Sequence, residues 1–410
     1  MQAGLLGRKL SHSYSPQIHA DLGDYSYVLF EKEPEEVEAF IKGTDWDALN
    51  VTIPYKKTVI PFLDELSPEA EKTGSVNTII HRPDGSLYGD TTDVYGFKTL
   101  VLSLGIPVEG KKALIFGNGG AAPSVKAALE DLGAEVVIIS RSGESNYSTL
   151  PAHRDAAILV NATPVGMYPN NGETVIDPAD FPNAEAVLDL IYNPAHTEFM
   201  MKAEALGIPN ANGLLMLTAQ AKKSAELFTG APLSDTLITE ITEKLDRKMQ
   251  NVILIGMPGS GKSAIGRRLA KALNRPLIDS DALIEEAAGC TIPEIFEHEG
   301  EGGFRKRETE VLREIGKGGG AVIATGGGVV TRKENYPLLH QNGRIIYIKR
   351  RLDLLPTKGR PLSQKNSVQT IYQARKPLYE SFADFTVNNN GKPEETVENI
   401  LAYLNGEALS

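Results

Sequence analysis

Cysteine is almost absent from this chain of 410 residues, because Cys290 is the only one. No disulfide can therefore form within the chain, and a thiolate metal cluster is excluded. Long apolar runs are also missing, since none approaches the length needed to cross a bilayer. Positive charge is in short supply, because 42 lysines and arginines face 53 acidic residues, for a formal net charge of −11. This balance argues against nucleic acid or an anionic membrane as a general partner, so anionic substrates would need local basic clusters.

The N-terminus lacks a charged and then apolar stretch, so nothing there has the form of a signal peptide. The hydrophobic fraction of 41% and the charged fraction of 23% are those of an ordinary globular protein. A length of 410 residues exceeds what one hydrophobic core usually organises, which predicts two or three domains. We expect a cytoplasmic enzyme that acts on small molecules.

Short apolar runs alternate with longer segments of helical period, which predicts an α/β fold with parallel sheets covered by helices. A predicted helix over 233–249 leads without a flexible linker into a predicted strand at 251–255, which indicates a domain boundary near residue 249. A nucleotide-binding domain is expected to interrupt a substrate lobe, leaving a cleft between them for a ligand. The expected domains are 1–96 plus 213–248 for the lobe, 97–212 for the inserted domain, and 250–410 for the last.

The first of two glycine-rich loops follows an apolar run and reads Gly117-Asn118-Gly119-Gly120-Ala121-Ala122. It has the Gly-x-Gly-x-x-Ala form of a Rossmann-type dinucleotide site, in which backbone approaches a pyrophosphate at a helix N-terminus. A predicted helix at 124–132 and strand at 135–139 follow. Where an NAD enzyme would place an acidic residue, the chain has Ser140-Arg141-Ser142. A guanidinium between hydroxyls suits a 2′-phosphate and predicts NADP, against the alternative of a solvated arginine after a strand.

The second loop follows the predicted strand at 251–255 and reads Gly256-Met257-Pro258-Gly259-Ser260-Gly261-Lys262-Ser263. It satisfies Gly-x-x-x-x-Gly-Lys-Ser in full and precedes a helical run at 264–273, which is typical of a nucleoside triphosphate site. Lys262 would reach the β and γ phosphates, and the Ser263 hydroxyl would bind Mg²⁺. The predicted ATP-binding residues of this loop are Gly259, Ser260, Gly261, Lys262, Ser263 and Ala264.

Polar residues cluster in four stretches of the N-terminal lobe, namely Ser13 to Pro16, Asn50 to Lys56, Gly74 to Thr78, and Gly89 to Asp93. Any one of these is more often a turn than a site. Together they offer hydroxyls, an amide, an ammonium and a carboxylate, which suffice to bind a polyhydroxylated ring acid and move a proton.

Over residues 1–248 the chain resembles shikimate dehydrogenase, with the motifs Ser-x-Ser-Pro, Asn-Val-Thr-x-Pro-x-Lys, Gly-x-Val-Asn-Thr and Thr-Asp in order. The resemblance implies that Lys56 and Asp93 are the catalytic pair. It implies that the substrate is bound by Ser13, Ser15, Thr52, Asn77, Asp93, Tyr192 and Gln220, and that the cofactor also meets Leu190 and Gly213. The family's Asn-Thr-Asp reads Thr91-Thr92-Asp93 here, which replaces an amide by a hydroxyl.

Residues 251–410 resemble shikimate kinase, a P-loop protein like the nucleoside monophosphate kinases, with motifs that include Asp279-Ser280-Asp281, Phe304-Arg305, Thr325 to Gly328, Gly359 to Leu362 and Arg375-x-x-x-Tyr379. The resemblance implies that Asp279 orders Mg²⁺ through water and that Asp281 binds the attacking 3-hydroxyl of shikimate. It implies that Arg305 and Arg375 bind the shikimate carboxylate. Gly327 would let backbone approach the ring, and Arg360 would meet ATP from a lid.

The two resemblances imply a bifunctional enzyme that reduces 3-dehydroshikimate with NADPH and phosphorylates shikimate with Mg²⁺ and ATP. A quinate/shikimate dehydrogenase using NAD, joined to a small-molecule kinase, is an alternative that Arg141 disfavours. A kinase for another small alcohol fits less well, because two arginines and an aspartate suit a hydroxy acid. A shikimate-sensing regulator without activity is disfavoured, because such a protein would have lost the residues that perform the chemistry. Those residues are all present here, namely Lys56, Asp93, Lys262, Ser263 and Asp281.

Overall fold

The structure is a computed structural model that describes residues 1–11, 13–355 and 368–407. The chain forms two compact units. The first unit contains Met1–Met167, Gly172–Tyr192 and Phe199–Lys244, and the second contains Tyr168–Asn171, Asn193–Glu198 and Leu245–Ser410. Within the described ranges, no helix combines the length and apolar character that a bilayer crossing requires.

A mixed sheet forms the N-terminal part of the first unit. Its strands are β1 Gln2–Gly7, β2 Ser26–Glu31, β3 Ala48–Val51, β4 Glu65–Leu66, β5 Thr78–His81 and β6 Leu87–Asp90, in the order β2-β1-β3-β5-β6-β4. β1 pairs in parallel with β2 and β3, while β5 is antiparallel to β3 and β6. Leu6, Leu49 and Ile79 place their side chains in one core with Trp46, whose indole N–H donates to the Phe40 carbonyl at 3.1 Å.

Helices cover this sheet and connect it to the rest of the unit. They are α1 Ser15–Ala20, α2 Val37–Ile41, α3 Pro68–Thr73, α4 Asp93–Ser103 and α7 Leu214–Thr229; the next helix, α8 Thr236–Met249, begins in the first unit and ends in the second. α4 packs against α7 at Gly96, where an added Cβ would lie 2.7 Å from the Met216 carbonyl oxygen. This close approach brings the N-terminus of α4 beside the polar face of α7, and both elements carry predicted site residues.

The second sheet of the first unit is wholly parallel, with the order β11-β10-β9-β7-β8. Its strands are β7 Lys112–Phe116, β8 Glu135–Ile139, β9 Ile158–Asn161, β10 Ala186–Asp189 and β11 Asn210–Ala211, with α5 Ala122–Asp131 after β7 and α6 Glu198–Ala205 after β10. Alternate residues of β7 face opposite cores, Ile115 in one and Leu114 in the other. Each such buried side chain contributes about 1.5–3 kcal/mol. Strand order reverses between β7 and β9, and ligands of such sheets bind outside the strand ends at that position.

The second unit contains another parallel sheet, with the order β13-β14-β12-β15-β16. Its strands are β12 Asn251–Ile255, β13 Leu277–Asp279, β14 Val322–Ala324, β15 Gly343–Lys349 and β16 Phe385–Asn388. Its helices are α9 Lys262–Leu273, α10 Ser280–Ala288, α11 Ile292–Ile315, α12 Asn335–His340, α13 Val368–Phe382 and α14 Pro393–Asn405. In β12, Ile253 packs with Leu312 while Leu254 packs with Ile265, so helices cover both faces. The expected α/β class with parallel sheets is confirmed.

Candidate active sites

The predicted substrate residues of the first unit line one cavity of about 700 Å³. Five segments form its wall: the turn before α1, the segment after β3, the start of α4, the segment after β10 and the helix α7. The residues brought together are Ser13, Ser15, Thr52, Lys56, Asn77, Asp93, Tyr192 and Gln220. Ala121, Leu190 and Gly213, which were predicted to meet the cofactor, line the same cavity. The positions expected for substrate and cofactor therefore adjoin.

An ammonium and a carboxylate face each other in this cavity, because Lys56 Nζ lies 2.5 Å from Asp93 Oδ2. Asp93 is only 5% exposed and is the first residue of α4, where the free amides of the helix N-terminus favour a negative charge. Its Oδ1 accepts a hydrogen bond of 2.9 Å from Asn77 Nδ2. Both carboxylate oxygens are thus held, and the ammonium borders the cavity. Such a pair can donate a proton and stabilise negative charge on a substrate oxygen.

Asn77 links this pair to its surroundings. Its Oδ1 accepts from the Thr92 amide at 2.8 Å and from the Thr78 hydroxyl at 2.9 Å. Its Nδ2 lies 3.3 Å from Gln220 Oε1. Because the amide oxygen only accepts and the nitrogen only donates, these contacts fix which way the amide faces.

Thr91 occupies the position where the sequence departs from the dehydrogenase motif. It is 2% exposed, and its hydroxyl has no hydrogen-bond partner among the described residues. Its backbone amide donates to Asp90 Oδ1 at 2.6 Å. The departure leaves one buried hydroxyl unsatisfied, while the contact between Lys56 and Asp93 is intact.

Two tyrosines meet beside the cavity, where the rings of Tyr14 and Tyr192 lie edge to face with centroids 6.2 Å apart. Burial raises the pKa of both phenols above the ordinary value. A phenol is protonated at neutral pH even at its ordinary pKa, so Tyr192 offers a hydrogen-bond donor to the cavity that it lines.

The first glycine loop borders a second cavity, of about 620 Å³, in the same unit. Gly117 has φ +105°, and an added Cβ would lie 2.9 Å from the Ala162 carbonyl oxygen, so this turn requires glycine. The predicted residues Gly117, Asn118, Gly119, Ser140 and Arg141 line the cavity. Gly120, Ala122 and Ser142 line neither this cavity nor the substrate cavity. Loop backbone and a guanidinium on one cavity fit a nicotinamide dinucleotide with a 2′-phosphate.

Tyr147 is a residue of this second cavity that motif reasoning missed. Tyr147 is 40% exposed, and burial raises its pKa while the charge of Arg141, which lines the same cavity, opposes that rise. No motif contains it, because it lies in the irregular segment after β8. An aromatic residue shortly after the arginine was the only available signal.

The second glycine loop wraps around the side chain of Lys262. Lys262 Nζ donates to the Gly256 carbonyl at 2.9 Å and to the Met257 carbonyl at 3.1 Å. Gly259 and Gly261 have φ of +85° and +99°, a conformation that other residues rarely adopt. The loop then opens into α9, whose first turn contains Ser263 and Ala264, and Ser260 is fully buried.

Oxygen ligands of the kind that Mg²⁺ prefers lie at the end of this loop. The Ser263 hydroxyl donates to Asp279 Oδ2 at 3.0 Å, and Asp279 Oδ1 accepts from the Asp281 amide at 3.1 Å. A hydroxyl and a carboxylate in contact fit a cation that keeps several of its waters. These two residues therefore suit the predicted metal position.

Acidic and basic side chains are buried together near the Asp281 end of the second unit. Arg305 is 7% exposed, and its Nη1 donates to Glu308 Oε2 at 2.7 Å. An added Cβ at Gly326 would lie 2.7 Å from Asp281 Oδ1 and 2.8 Å from Glu308 Oε1, so the two carboxylates flank this glycine. Burial raises the pKa of Asp281 and also that of Glu308, which Arg305 opposes.

Arg375 and Tyr379 hold the backbone at Gly327. Arg375 Nη1 donates to the Gly327 carbonyl at 2.9 Å, and the Tyr379 hydroxyl donates to the same oxygen. An added Cβ at Gly327 would meet the Pro258 ring at 2.6 Å, so this position has no space for a side chain. Arg360, predicted to meet ATP from a lid, lies outside the described residues.

Glu308 is the residue of the second unit that motif reasoning missed. It is 0% exposed and three residues after Arg305 on α11, a spacing at which helix side chains meet. That spacing is visible in the sequence, but exposed Arg and Glu pairs at the same spacing are common. Only the burial of Glu308 distinguishes this pair from them.

Two family profiles match different parts of the chain. The shikimate dehydrogenase substrate binding domain matches residues 5–79, and shikimate kinase matches residues 258–405. Among relatives, the shikimate dehydrogenase (NADP(+)) of Clostridium perfringens strain 13 is 34% identical over 264 residues, covering 59% of this chain and 97% of the relative. The corresponding protein of Clostridium beijerinckii is 36% identical over 254 residues, covering 57% and 94%.

Solved structures agree with this assignment of the first part. Shikimate dehydrogenase 1 from Peptoclostridium difficile has 36% identity and a TM-score of 0.54, covering 60% of this chain and 97% of its own. A chorismate mutase/shikimate 5-dehydrogenase fusion protein from Clostridium acetobutylicum has 32% identity and a TM-score of 0.57, with the same coverage. The chain belongs to the shikimate dehydrogenase family and carries a shikimate kinase domain in the same polypeptide, which is the combination of a bifunctional shikimate-pathway enzyme.

Proposed function

We propose that this chain reduces 3-dehydroshikimate to shikimate with NADPH and then transfers a phosphoryl group from ATP to the 3-hydroxyl of shikimate. The contact between Lys56 and Asp93 in the substrate cavity carries the proposal. Reduction creates at position 3 the hydroxyl that phosphorylation consumes, so the two reactions have a fixed order. The cofactors that the proposal requires are NADP(H) and Mg²⁺-ATP.

Polar side chains of the first unit would orient the substrate for reduction. Ser13 and Ser15 would bind the carboxylate, while Thr52, Asn77, Tyr192 and Gln220 would bind ring hydroxyls. When bound, NADPH supplies the hydride to the carbonyl carbon. Lys56 would stabilise the negative charge that grows on the carbonyl oxygen and donate the proton to it. Asp93, held by Asn77 at 2.9 Å, would keep the ammonium aimed at that oxygen.

Side chains of the second unit would align shikimate with the γ-phosphate. Arg305 and Arg375 would bind the carboxylate, because guanidinium groups match its two oxygens. Asp281 would accept the proton of the 3-hydroxyl, and Lys262 would neutralise charge on the phosphates. Ser263 and Asp279 would hold Mg²⁺, directly and through water. Positioning and charge neutralisation supply most of the catalysis in phosphoryl transfer.

An assay that omits one component at a time tests this function. Purified protein given 3-dehydroshikimate and NADPH should consume NADPH and form shikimate, and shikimate 3-phosphate should follow only after Mg²⁺ and ATP are added. Added shikimate should be phosphorylated without NADPH. Folded protein that performs neither reaction would contradict the proposal. Faster reduction with NADH, or of 3-dehydroquinate, would instead favour a quinate/shikimate dehydrogenase.

A further inference from the structure

A buried hydroxyl on α7 lies at the centre of a hydrogen-bond network behind the substrate cavity. Ser224 is 0% exposed and lies one helical turn after Gln220. Its Oγ lies 2.8 Å from Asn50 Nδ2, 2.9 Å from Thr78 Oγ1 and 3.1 Å from Thr92 Oγ1. It also lies 3.0 Å from the Gln220 carbonyl oxygen. Residues from β3, β5, α7 and the turn before α4 therefore meet at one oxygen.

The chemistry of this hydroxyl limits how the network can be arranged. A serine hydroxyl donates one hydrogen bond and accepts two. The Asn50 amide nitrogen can only donate, so it occupies one lone pair of Ser224. Thr92 Oγ1 accepts from Asn77 Nδ2 at 3.0 Å, and its own proton can go to Ser224, to Asn77 Oδ1 at 3.2 Å or to Gln220 Oε1 at 3.4 Å. The Ser224 proton in turn has the Gln220 carbonyl and the hydroxyls of Thr78 and Thr92 within reach.

This arrangement reaches the catalytic pair through Asn77. Thr78 Oγ1 donates to Asn77 Oδ1 at 2.9 Å, and the Thr92 amide donates to the same oxygen at 2.8 Å. Asn77 then donates to Asp93 Oδ1 at 2.9 Å, and Asp93 Oδ2 contacts Lys56. Thr92 also directly precedes Asp93 in the chain.

Ser224 itself does not line the substrate cavity, whereas Asn50, Asn77 and Asp93 do. It therefore acts on the substrate only through other residues. Its effect on the reaction must pass through the residues that it holds, namely Asn50 at the cavity wall, and Thr78 and Thr92, which both bond to Asn77.

We propose that Ser224 is a positioning residue for the reduction, which orients Thr92 and Asn77 so that Asp93 holds the Lys56 ammonium in its reactive place. The proposal rests on the proposed dehydrogenase function. Without the hydroxyl, the Asn50 amide loses its shortest acceptor and keeps only contacts of 3.3 Å, while the Thr92 hydroxyl keeps contacts of 3.2 Å and 3.4 Å, and both side chains are at most 5% exposed. Their reorientation would release the Asn77 amide and with it one oxygen of Asp93.

The test compares Ser224→Ala, Thr92→Val and the double variant. Each single variant should lower kcat for 3-dehydroshikimate reduction about tenfold, because small displacements of catalytic groups are costly. The KM for NADPH should be unchanged, since neither residue lines the cavity beside the glycine loop. The double variant should lose little more than either single variant, because both substitutions break one network.

Thr229→Ala is the matched control on the same helix. The Thr229 hydroxyl donates to the Ala225 carbonyl at 2.9 Å, and its one other partner among the described residues is the backbone amide of Ala231. Its removal should leave kcat unchanged. Thermal unfolding would report the folded fraction of each variant, and phosphorylation of added shikimate would show that the second unit is unchanged.

Two outcomes separate this proposal from the proposed function. If the unaltered protein does not oxidise NADPH with 3-dehydroshikimate, the proposed function fails. If it does, and Ser224→Ala keeps its kcat or the effects of the two substitutions add, the positioning role is overturned. Should Ser224→Ala fold poorly, Ser224→Thr and Thr92→Val take its place: Ser224→Thr keeps the hydroxyl and should keep kcat, while Thr92→Val keeps the branched shape, replaces the hydroxyl by a methyl group and should lower kcat. An unchanged kcat in Thr92→Val overturns the proposal.

Discussion

The ammonium of Lys56 lies 2.5 Å from the carboxylate of Asp93, with the lysine side chain 18% exposed and the aspartate side chain 7% exposed. The pair is thus largely withdrawn from solvent but open to the substrate cavity on the lysine side. Charge pairs in such a position stabilise developing charge more strongly than they could in water, because their surroundings screen less.

Replacing Lys56 by methionine should lower kcat for the reduction about 10²- to 10⁴-fold, the usual contribution of a positioned proton donor. Phosphorylation of added shikimate should be unaffected, because Lys56 belongs to the first unit and the predicted kinase residues belong to the second. Steady-state kinetics of both reactions would measure the change. Lys57→Met is the matched control, since Lys57 is the exposed neighbour and does not line the cavity. Equal losses in both variants would contradict the assignment.

Replacing Arg141 by glutamine should raise the KM for NADPH about 10- to 100-fold, because a hydrogen bond to a charged group contributes about 1.5–3 kcal/mol. The KM for NADH should change little, since that cofactor lacks the 2′-phosphate. Kinetics with both cofactors would measure the preference, and Arg154→Gln serves as control because that exposed arginine does not line the cavity. An equal rise in KM for both cofactors would mean that Arg141 binds a part that NADPH and NADH have in common, and not the 2′-phosphate.

Local patterns predicted several of the elements around the two glycine loops. Glu135–Ile139 and Asn251–Ile255 are strands with the predicted bounds, and the helix predicted at 264–273 begins two residues earlier, at Lys262. Strand periodicity and glycine spacing are local properties, so the chain carries them in consecutive residues. The helix start was misplaced because Lys262 and Ser263 belong to both the loop motif and the first helical turn.

The residues that the sequence did not reveal depend on long-range contacts. Ser224 is significant only because α7 places it beside Asn50, which is 174 positions away in the chain. Glu308 has an ordinary helical spacing from Arg305 and differs from exposed pairs only in its burial. Polar residues of this kind have no motif of their own, since folding rather than neighbouring sequence supplies their partners.

The rate of phosphorylation should fall toward acid pH with a midpoint above the ordinary aspartate value. Burial raises the pKa of Asp281, and its charged form is the one that can accept the hydroxyl proton. A pH profile of kcat/KM for shikimate at saturating ATP would measure this limb. Asp281→Asn should lower kcat about 10²- to 10⁴-fold, and the remaining activity should no longer fall toward acid pH with that midpoint.

The same pKa shift predicts the effect of Asp281 on stability. A carboxyl whose pKa is higher in the folded than in the unfolded state contributes stability below its unfolded pKa, and that contribution is lost as the pH rises through its folded pKa. At neutral pH the charged Asp281 therefore disfavours folding, so Asp281→Asn should raise the thermal midpoint of the second unit. A lower midpoint in that variant would contradict the burial argument.

Replacing Glu308 by glutamine should weaken the binding of shikimate more than that of ATP. Glu308 is 0% exposed, and its Oε2 holds Arg305 Nη1 at 2.7 Å, so the arginine would lose its anchor and carry an uncompensated buried charge. We expect the KM for shikimate to rise about tenfold, the cost of misplacing one charge-assisted contact, while the KM for ATP stays constant. Glu301→Gln is the control, because Glu301 meets the same arginine at 3.3 Å from a half-exposed position where ion pairs contribute little. If both substitutions raised the KM equally, burial would not be what gives Glu308 its role.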